Sequence, residues 1–536
     1  MRTLALSAVV AALALPAAVW GQFRDLATNA DGSRLFFISA LRQQGTSQGL
    51  YPKIFALEGT TVSLVFQPQV APSDPYGQYS VGPLQAAGNG DWVVYGTQRN
   101  CVGGSSCFLN EQRGAVFVGR GGEPEPLGAN SRLSRDGRWQ VTYSSPGVML
   151  SYFWRIDRRS GTRTDLTAVA RPVSAPSVAL NGSVLIPAFE RLLLWDGTQT
   201  RTLAGKVAAA TMDDAATTVV YQENVEAPGG NSIRLRVVDL ASGRVWPLGP
   251  DDRDNFAPVL SADGAWVLYL SRTGGHAQAF LSRRDGSEWR QLTDLRSGVR
   301  EAVFSADGRV AWVAAGDGAV YRIEGQSGAM EQRLATTPSV TGPGSGAAGS
   351  AVFVNGSNFD KVTAVRIGGR TVEWWKADPA SLLLRLPWDF PLGAAELAVA
   401  GGDERFECAI PFAVVEFAPT LVAAEHEDFS SLVSESKPVR PGEILHLYAT
   451  GLGPVDAAGR TTLPWEWRWN SQPGPLAEVL YCGLAPGFPG FYQVDVRAPA
   501  DLASPLVFLQ LYLSPQAGGW FSWILGIWPV SQGLPP

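Results

Sequence analysis

Short apolar runs, each introduced by a polar turn signal, recur through the first part of the chain. The segment SADGAWVLYLSR, residues 261–272, shows the unit: a turn signal, an apolar and aromatic run, then a return to polar residues. Related segments are NADGSRLFFIS from Asn29, GNGDWVVYGT from Gly88, SRDGRWQVTYSS from Ser134, LNGSVLIPA from Leu180, MDDAATTVVYQE from Met212 and SADGRVAWVAA from Ser305. An Asp-Gly or Asn-Gly turn supplies the positive φ angles of a tight hairpin. The run that follows is long enough for a buried strand. With the first example the set has seven members, the fifth of which lacks its turn glycine. From Gly32 to Gly308 there are six steps over 276 residues, or 46 per step. A period in the forties is a propeller period.

A second pattern interleaves with the first. YPKIFALEGTTVSLV, RLRVVDLASGRVWPLG and AFLSRRDGSEWRQLT are examples; each is a strand, a polar turn usually holding Gly, and a second short strand. Two hairpins per unit predict a four-stranded blade. Such a blade buries its faces only by stacking on its neighbours, and ring closure protects the edges. The expectation is an all-β chain opening with a seven-bladed β-propeller over 22–336. The two longest insertions, 41–53 and 97–114, both join a blade's second strand to its third, so they emerge on one face of the ring.

SADGAWVLYLSR with AFLSRRDGSEWRQLTD resembles the repeat of TolB-type, WD-like propellers, a class of secreted and periplasmic bacterial proteins. The same turns approach the sialidase Asp-box, but in SADGAW and SRDGRW the tryptophan comes one residue early. That box is itself structural, so it does not imply glycosidase chemistry.

The repeat stops near Thr337, where TTPSVTGPGSGAAGS marks a boundary. VNGSNF, VRIGG and LLLRLP then resemble the IPT/TIG immunoglobulin-like domain, expected over 337–416. The short alternating strands independently suggest a β-sandwich. RPGEILHLYATGLGPVD and AEVLYCGLAPGFPGFYQVDVRAP resemble a C-terminal domain of unestablished function common in secreted proteins of acidobacteria, expected as a second sandwich-like module over 417–536. That resemblance implies no catalytic residues.

The N-terminus carries one early charge, Arg2, then an apolar stretch over 4–15, with Val19 and Gly21 small enough for a signal peptidase site. This predicts a signal peptide over 1–21 and an exported mature chain from Gln22. The apolar run is too short to span a membrane. A formal charge of -6 without a basic stripe lacks the electrostatic footprint of nucleic-acid binding. The 59 glycines, 37 prolines and 18 tryptophans suit turn-rich β structure. In an oxidising compartment Cys101 and Cys107 are expected to close a small disulfide loop. Cys408 and Cys482 are either paired or free buried thiols.

Candidate chemistry is sparse. Trp465, Trp467 and Trp469 alternate in WEWRW, so on a strand they share one face. That face either packs into a sandwich core or forms an aromatic binding platform. GTSQG at 45–49 matches a nucleophile elbow in letters only, because it falls between strands of a blade rather than in an α/β-hydrolase. EHEDF, around His426, and DDRDN, at 251–255, are weak candidates for a metal and for calcium. No catalytic, cofactor-binding or metal-ligating residue is assigned, and no cofactor is expected. The expectation is an exported, non-catalytic binding protein whose partner is a protein or a cell-surface glycan. The alternative is a propeller glycoside hydrolase or lyase with its site at the central channel, which requires charged or tyrosine side chains to converge from different blades.

Overall fold

A computed structural model of the chain describes residues 23–46, 51–67, 78–86, 88–90, 93–100, 112–117, 124–127, 130–143, 152–189, 191–205, 207–227, 230–469, 475–501, 506–513 and 521–529. One three-residue 3-10 turn, Phe359–Lys361, is the only helical element among them; the rest of the regular structure is β. The fold is all-β. The chain divides into two compact units, one formed by Val19–Thr337 with Gly402–Phe406, the other holding Pro338–Gly401 and Glu407–Pro536.

In the first unit the strands form seven successive antiparallel sheets, each from its own contiguous stretch of chain. Sheet 1, for example, runs Arg24–Thr28, Arg34–Ser39, Lys53–Glu58 and Thr61–Phe66 in that spatial order. Sheet 7 ends with Met330–Leu334. Sheet 2 carries a fifth short strand, Gln85–Ala86, which pairs with Val93–Asn100. Apolar residues of adjacent sheets share small cores. Leu268, Leu281, Ala311 and Ile323 join sheets 6 and 7, and Val220, Val237, Val267 and Phe280 join sheets 5 and 6.

The first strands of sheets 3 to 7 touch one another in order, that of sheet 1 meets Gln85–Ala86 of sheet 2, and that of sheet 7, Val299–Phe304, lies against that of sheet 1. Sheets 2 and 3 meet through the Gln85 amide, which donates to Leu133 O (2.5 Å) and accepts from Leu133 N (3.0 Å). The seven sheets therefore form a closed ring around an axis lined by first strands, which is a propeller.

The turns singled out in the sequence close one face of that ring. Their main chains bond in succession: Ala262 N to Ala306 O, Asp307 N to Ala30 O, Ala30 N to Gly88 O and Gly88 N to Arg135 O. Leu180 N to Asp214 O and Asp214 N to Ala262 O continue the series. Between sheets 3 and 4 side chains take over. The Trp139 indole donates to Leu180 O (3.0 Å), and Arg135 pairs with Asp214 one sheet further on (2.8 Å). At the seam of sheets 7 and 1 the Trp312 indole donates to Gly32 O (3.0 Å). A Cβ on Gly32 would come within 2.5 Å of Val310, so only glycine fits there.

The five residues Gly402–Phe406 brace the same unit. Asp403 accepts from Ala335 N (3.0 Å), while Arg405 donates to Thr60 O of sheet 1 (3.0 Å) and to Arg333 O of sheet 7 (2.6 Å). Phe406 packs edge-on against Phe23 and Phe55, with ring centroids 5.3 and 5.4 Å away.

In the second unit, Ser339–Gly342, Ala351–Ser357, Ser381–Arg385 and Glu373–Asp378 form one sheet, while Val362–Ile367, Gly393–Gly401 and their neighbours form another. Further on, a sheet of Thr420–Glu425, Ile444–Thr450, Tyr492–Arg497 and Glu478–Leu484 shares a single apolar core with a three-stranded sheet of Trp465–Trp469, Leu506–Leu513 and Phe521–Pro529.

Candidate ligand site at the channel mouth

With one face held by the turn belt, the other end of the axis is where first strands begin and where second strands hand over to third strands. Charged side chains gather there. Arg24 and Asp25 open the first strand of sheet 1, Arg132 that of sheet 3, and Arg300 and Glu301 that of sheet 7. Tyr143 ends the second strand of sheet 3, and Asp317 sits in the turn between the second and third strands of sheet 7.

Asp25 stands at the centre of this group. Its backbone takes φ 50°, unusual for a residue other than glycine, and its Oδ2 accepts from Arg24 at 2.7 Å. Burial pushes its carboxyl up, and the charges of Arg24, Arg300 and Arg132 pull it back in part. Glu301 accepts from Leu26 N at 2.7 Å, and burial raises its carboxyl as well. Arg300 donates to Phe23 O across the seam and remains open to water.

Arg132 and Asp25 belong to sheets 3 and 1, which are not neighbours in the ring. Both stand at the start of a first strand, at the same end of the axis, with sheet 2 between them. Residues from three sheets thus converge at one opening. Mixed arginine, carboxylate and phenol chemistry of this kind can hold an anionic or polar ligand, and raised carboxylates can donate a proton.

The other sequence candidates are placed as follows. The tryptophans turn inward: Trp467 and Trp469 are buried in the shared core, with Trp465 packed against it. The Trp465 indole donates to Leu452 O (2.9 Å) and that of Trp469 to Arg497 O (3.0 Å), so this face is a core face rather than an aromatic platform. His426 is committed to Glu443 (2.9 Å) and Lys437 O (3.2 Å), and His446 to Asp495 (2.7 Å) and Glu427 O (3.3 Å). No group of metal-ligating side chains occurs among the described residues. The carboxylates of DDRDN are spent on arginines: Asp251 on Arg234, Asp252 on Arg253, Asp254 on Arg272. Cys408 and Cys482 are free thiols, and burial pushes both up to about 11. Cys101, Cys107 and most of GTSQG lie outside the described residues.

A cleft of about 730 Å³ between sheets 2 and 3 is also rich in charge. Its arginines are already paired, Arg158 with Glu125 (2.7 Å) and Arg138 with Asp157 (3.0 Å). Sequence reasoning missed the mouth residues because each short strand carries only one or two charges, with nothing local to mark them. Only the ring closure brings them together.

No protein-family model matches the chain, and neither does any curated protein. Among solved structures, the β-propeller domain of the trilobed protease from Pyrococcus furiosus is similar over 59% of this chain and 99% of that one, at 10% identity and a TM-score of 0.42. A hydrazine synthase structure from Kuenenia stuttgartiensis is similar over 58% and 97%, at 12% identity and a TM-score of 0.39. A TolB structure from Agrobacterium tumefaciens is similar over 51% and 84%, at 15% identity and a TM-score of 0.30. The assignment of a propeller rests on the strand order and ring closure of this chain itself.

Proposed function

We propose that this chain is an exported binding protein that presents its ligand site at the open mouth of the propeller. The carrying observation is that Arg24, Asp25, Arg132, Arg300 and Glu301, from three sheets, stand near the starts of first strands at one end of the axis. A rigid ring lets side chains distant in sequence meet without a large ordering cost on binding. The sequence reading places the insertions 41–53 and 97–114 between second and third strands, and a Cys101–Cys107 disulfide would staple the second of them. The apolar N-terminus supports export. The IPT/TIG-like and acidobacterial-type segments serve on this reading as spacer and attachment. The partner is a protein or a cell-surface glycan.

A second reading is a propeller lyase or glycoside hydrolase. What favours it is that Asp25 and Glu301 both have raised carboxyls in the mouth, as acid–base residues require. One experiment separates the two. The mature protein is used to capture partners from the cell envelope and is applied to a glycan array, beside Asp25→Asn and Arg300→Gln. Binding without turnover, lost in both variants, supports the binding reading. Release of shortened or unsaturated glycan, lost in Asp25→Asn, supports the enzyme. Binding untouched by either variant removes the mouth from both readings. Mass mapping of non-reduced peptides tests the disulfide, which free alkylation of both thiols would refute.

A further inference from the structure

Two buried histidines hold one strap of the C-terminal unit. The strap, 426–443, leaves the end of Thr420–Glu425 and returns to the start of Ile444–Thr450. His426, at its base, is 1% exposed. Its Nδ1 meets Glu443 Oε2 at 2.9 Å and its Nε2 meets Lys437 O at 3.2 Å. The other Glu443 oxygen accepts from Arg440 N. His446 is also buried, and it lies on the face of its strand opposite the core residues Leu445 and Leu447. Its Nδ1 meets Asp495 Oδ1 at 2.7 Å and its Nε2 meets Glu427 O at 3.3 Å. Each ring therefore has a carboxylate on one nitrogen and a strap carbonyl on the other.

All four partners are acceptors. A neutral imidazole donates from one nitrogen only, and its other lone pair then faces an oxygen lone pair. Both bonds of each ring form together only with a second ring proton, because a carboxylic acid is a stronger acid than an imidazolium and gives its proton up to the ring. Phe429 is an independent sign of that charge. It takes φ 55°, in the left-handed region, and is 53% exposed, so neither backbone preference nor burial accounts for its position. Yet its ring lies flat on that of His446, with centroids 3.8 Å apart and planes 13° from parallel. An aromatic face attracts a cation placed over it.

The other charges around the two rings have partners of their own. Asp428 accepts from Ser430 Oγ at 2.7 Å, the Glu427 carboxylate faces Ile444 N at 3.4 Å, and Arg497 pairs with Glu478 at 2.9 Å. Lys437 meets His426 through its carbonyl, and the charge of Arg440 falls on Asp428. Glu425 is directly across from His446 in the register, beside the Tyr448 phenol.

We infer that the strap is a pH-operated clasp, closed while His426 and His446 are doubly protonated and opened by rising pH, which frees Lys437 O and Glu427 O. Loss of one proton leaves each ring a single donor for two acceptors. The bonds to the carboxylates are the shorter ones, so the strap carbonyls are released first. The clasp adds stability at low pH and loses it as pH rises, because the closed form holds the extra protons. Opening lifts Phe429 from His446 and bares the His446–Asp495 pair. The clasp does not depend on the channel-mouth reading.

The chain has only three histidines, so labelled imidazoles give three sets of signals. NMR of the ring nitrogens reads their protonation from pH 5 to pH 9. Hydrogen exchange of amides 427–443, corrected for the intrinsic rate, is read over the same range. At pH 5 both nitrogens of His426 and of His446 should carry protons and the strap should be protected. By pH 9 its protection should fall at least tenfold, with a midpoint that matches loss of the ring protons, while Tyr492–Arg497 stays protected. His276, exposed in the ring, should titrate without moving the strap. His426→Gln and His446→Gln should each weaken strap protection at pH 5 and flatten its pH dependence, since an amide does not titrate. The inference is overturned if either ring carries a single proton in the closed strap at pH 5. It is overturned equally if protection is the same at pH 5 and pH 9, or if both variants keep the parent's pH dependence.

Discussion

The propeller ring and the C-terminal pair of sheets bury similar residues in opposite ways. The pair gathers Leu447, Trp467, Trp469, Val494, Leu509 and Leu511 into one shared core. The ring distributes its apolar residues among small cores, each between two adjacent sheets. Tryptophan is used differently too. Between the C-terminal sheets it fills the core. In the ring it stands at sheet borders, where the indoles of Trp139, Trp246 and Trp312 each donate to a carbonyl of the next sheet. One region is a single cooperative body. The other is a sum of nearest-neighbour contacts that becomes one body only because it closes.

The largest expected effect tests that contrast directly. Trp469→Ala should cost the C-terminal unit about 3–5 kcal/mol, read by calorimetry as a drop in that unit's transition with the ring's unmoved. A common shift of all transitions would break the distinction. Leu281→Ala, between sheets 6 and 7, should cost about 2–5 kcal/mol and raise hydrogen exchange first in those two sheets. Uniform loss of protection around the ring would show that its cores are not separable.

A smaller effect comes from a charge the ring buries. Lys53 is fully buried, its Nζ donating to Tyr51 O (2.9 Å) and Ala40 O (3.3 Å), and burial, aided by the nearby Arg42, lowers its ammonium to about 7. Its folded value lies below the unfolded one, so the unfolded chain binds the extra proton between the two. The penalty is full below about pH 7 and fades as pH rises toward the unfolded value. The ring transition should therefore rise from pH 7 to pH 9, by up to roughly 1.4 kcal/mol per unit. Lys53→Met should abolish that slope, and a slope kept in the variant would assign it elsewhere. Smallest is Trp312→Phe, which removes one seam hydrogen bond and should cost about 1 kcal/mol. A much larger loss would show that the seam, not the sum of contacts, governs the ring.

The repeated turns were legible because each poses a local backbone problem with a local chemical answer. Gly137, Gly264 and Gly308 take φ values of 72°, 69° and 69°. In three turns a serine Oγ donates to the aspartate two residues on, at 2.6 Å. Where the fifth member lacks glycine, Ala216 takes φ 55° and Asp213 holds the turn through Thr217 N (2.8 Å) and Thr218 N (2.7 Å). The alternation of WEWRW was equally readable as a shared face, but which way that face points depends on strands far away in sequence. The mouth was not legible at all. Arg132 reads as an ordinary strand charge, because the charges at the same end of the axis come from other sheets. Nor does any local signal mark Gly402–Phe406 as part of the ring, because the partners of Arg405 lie in the first and last sheets.

That last segment gives the ring a history as well as a shape. On a ribosome the seventh sheet is complete once Leu334 has emerged, yet Arg405 and Phe406 come only after the strands of the next module have begun to form. For that interval Phe23 and Phe55 have Phe37 beside them but not Phe406, and there is no bridge from Thr60 to Arg333. A gene cut at the apparent end of the repeats would leave the protein permanently in that interval, with its aromatic residues free to meet those of another copy.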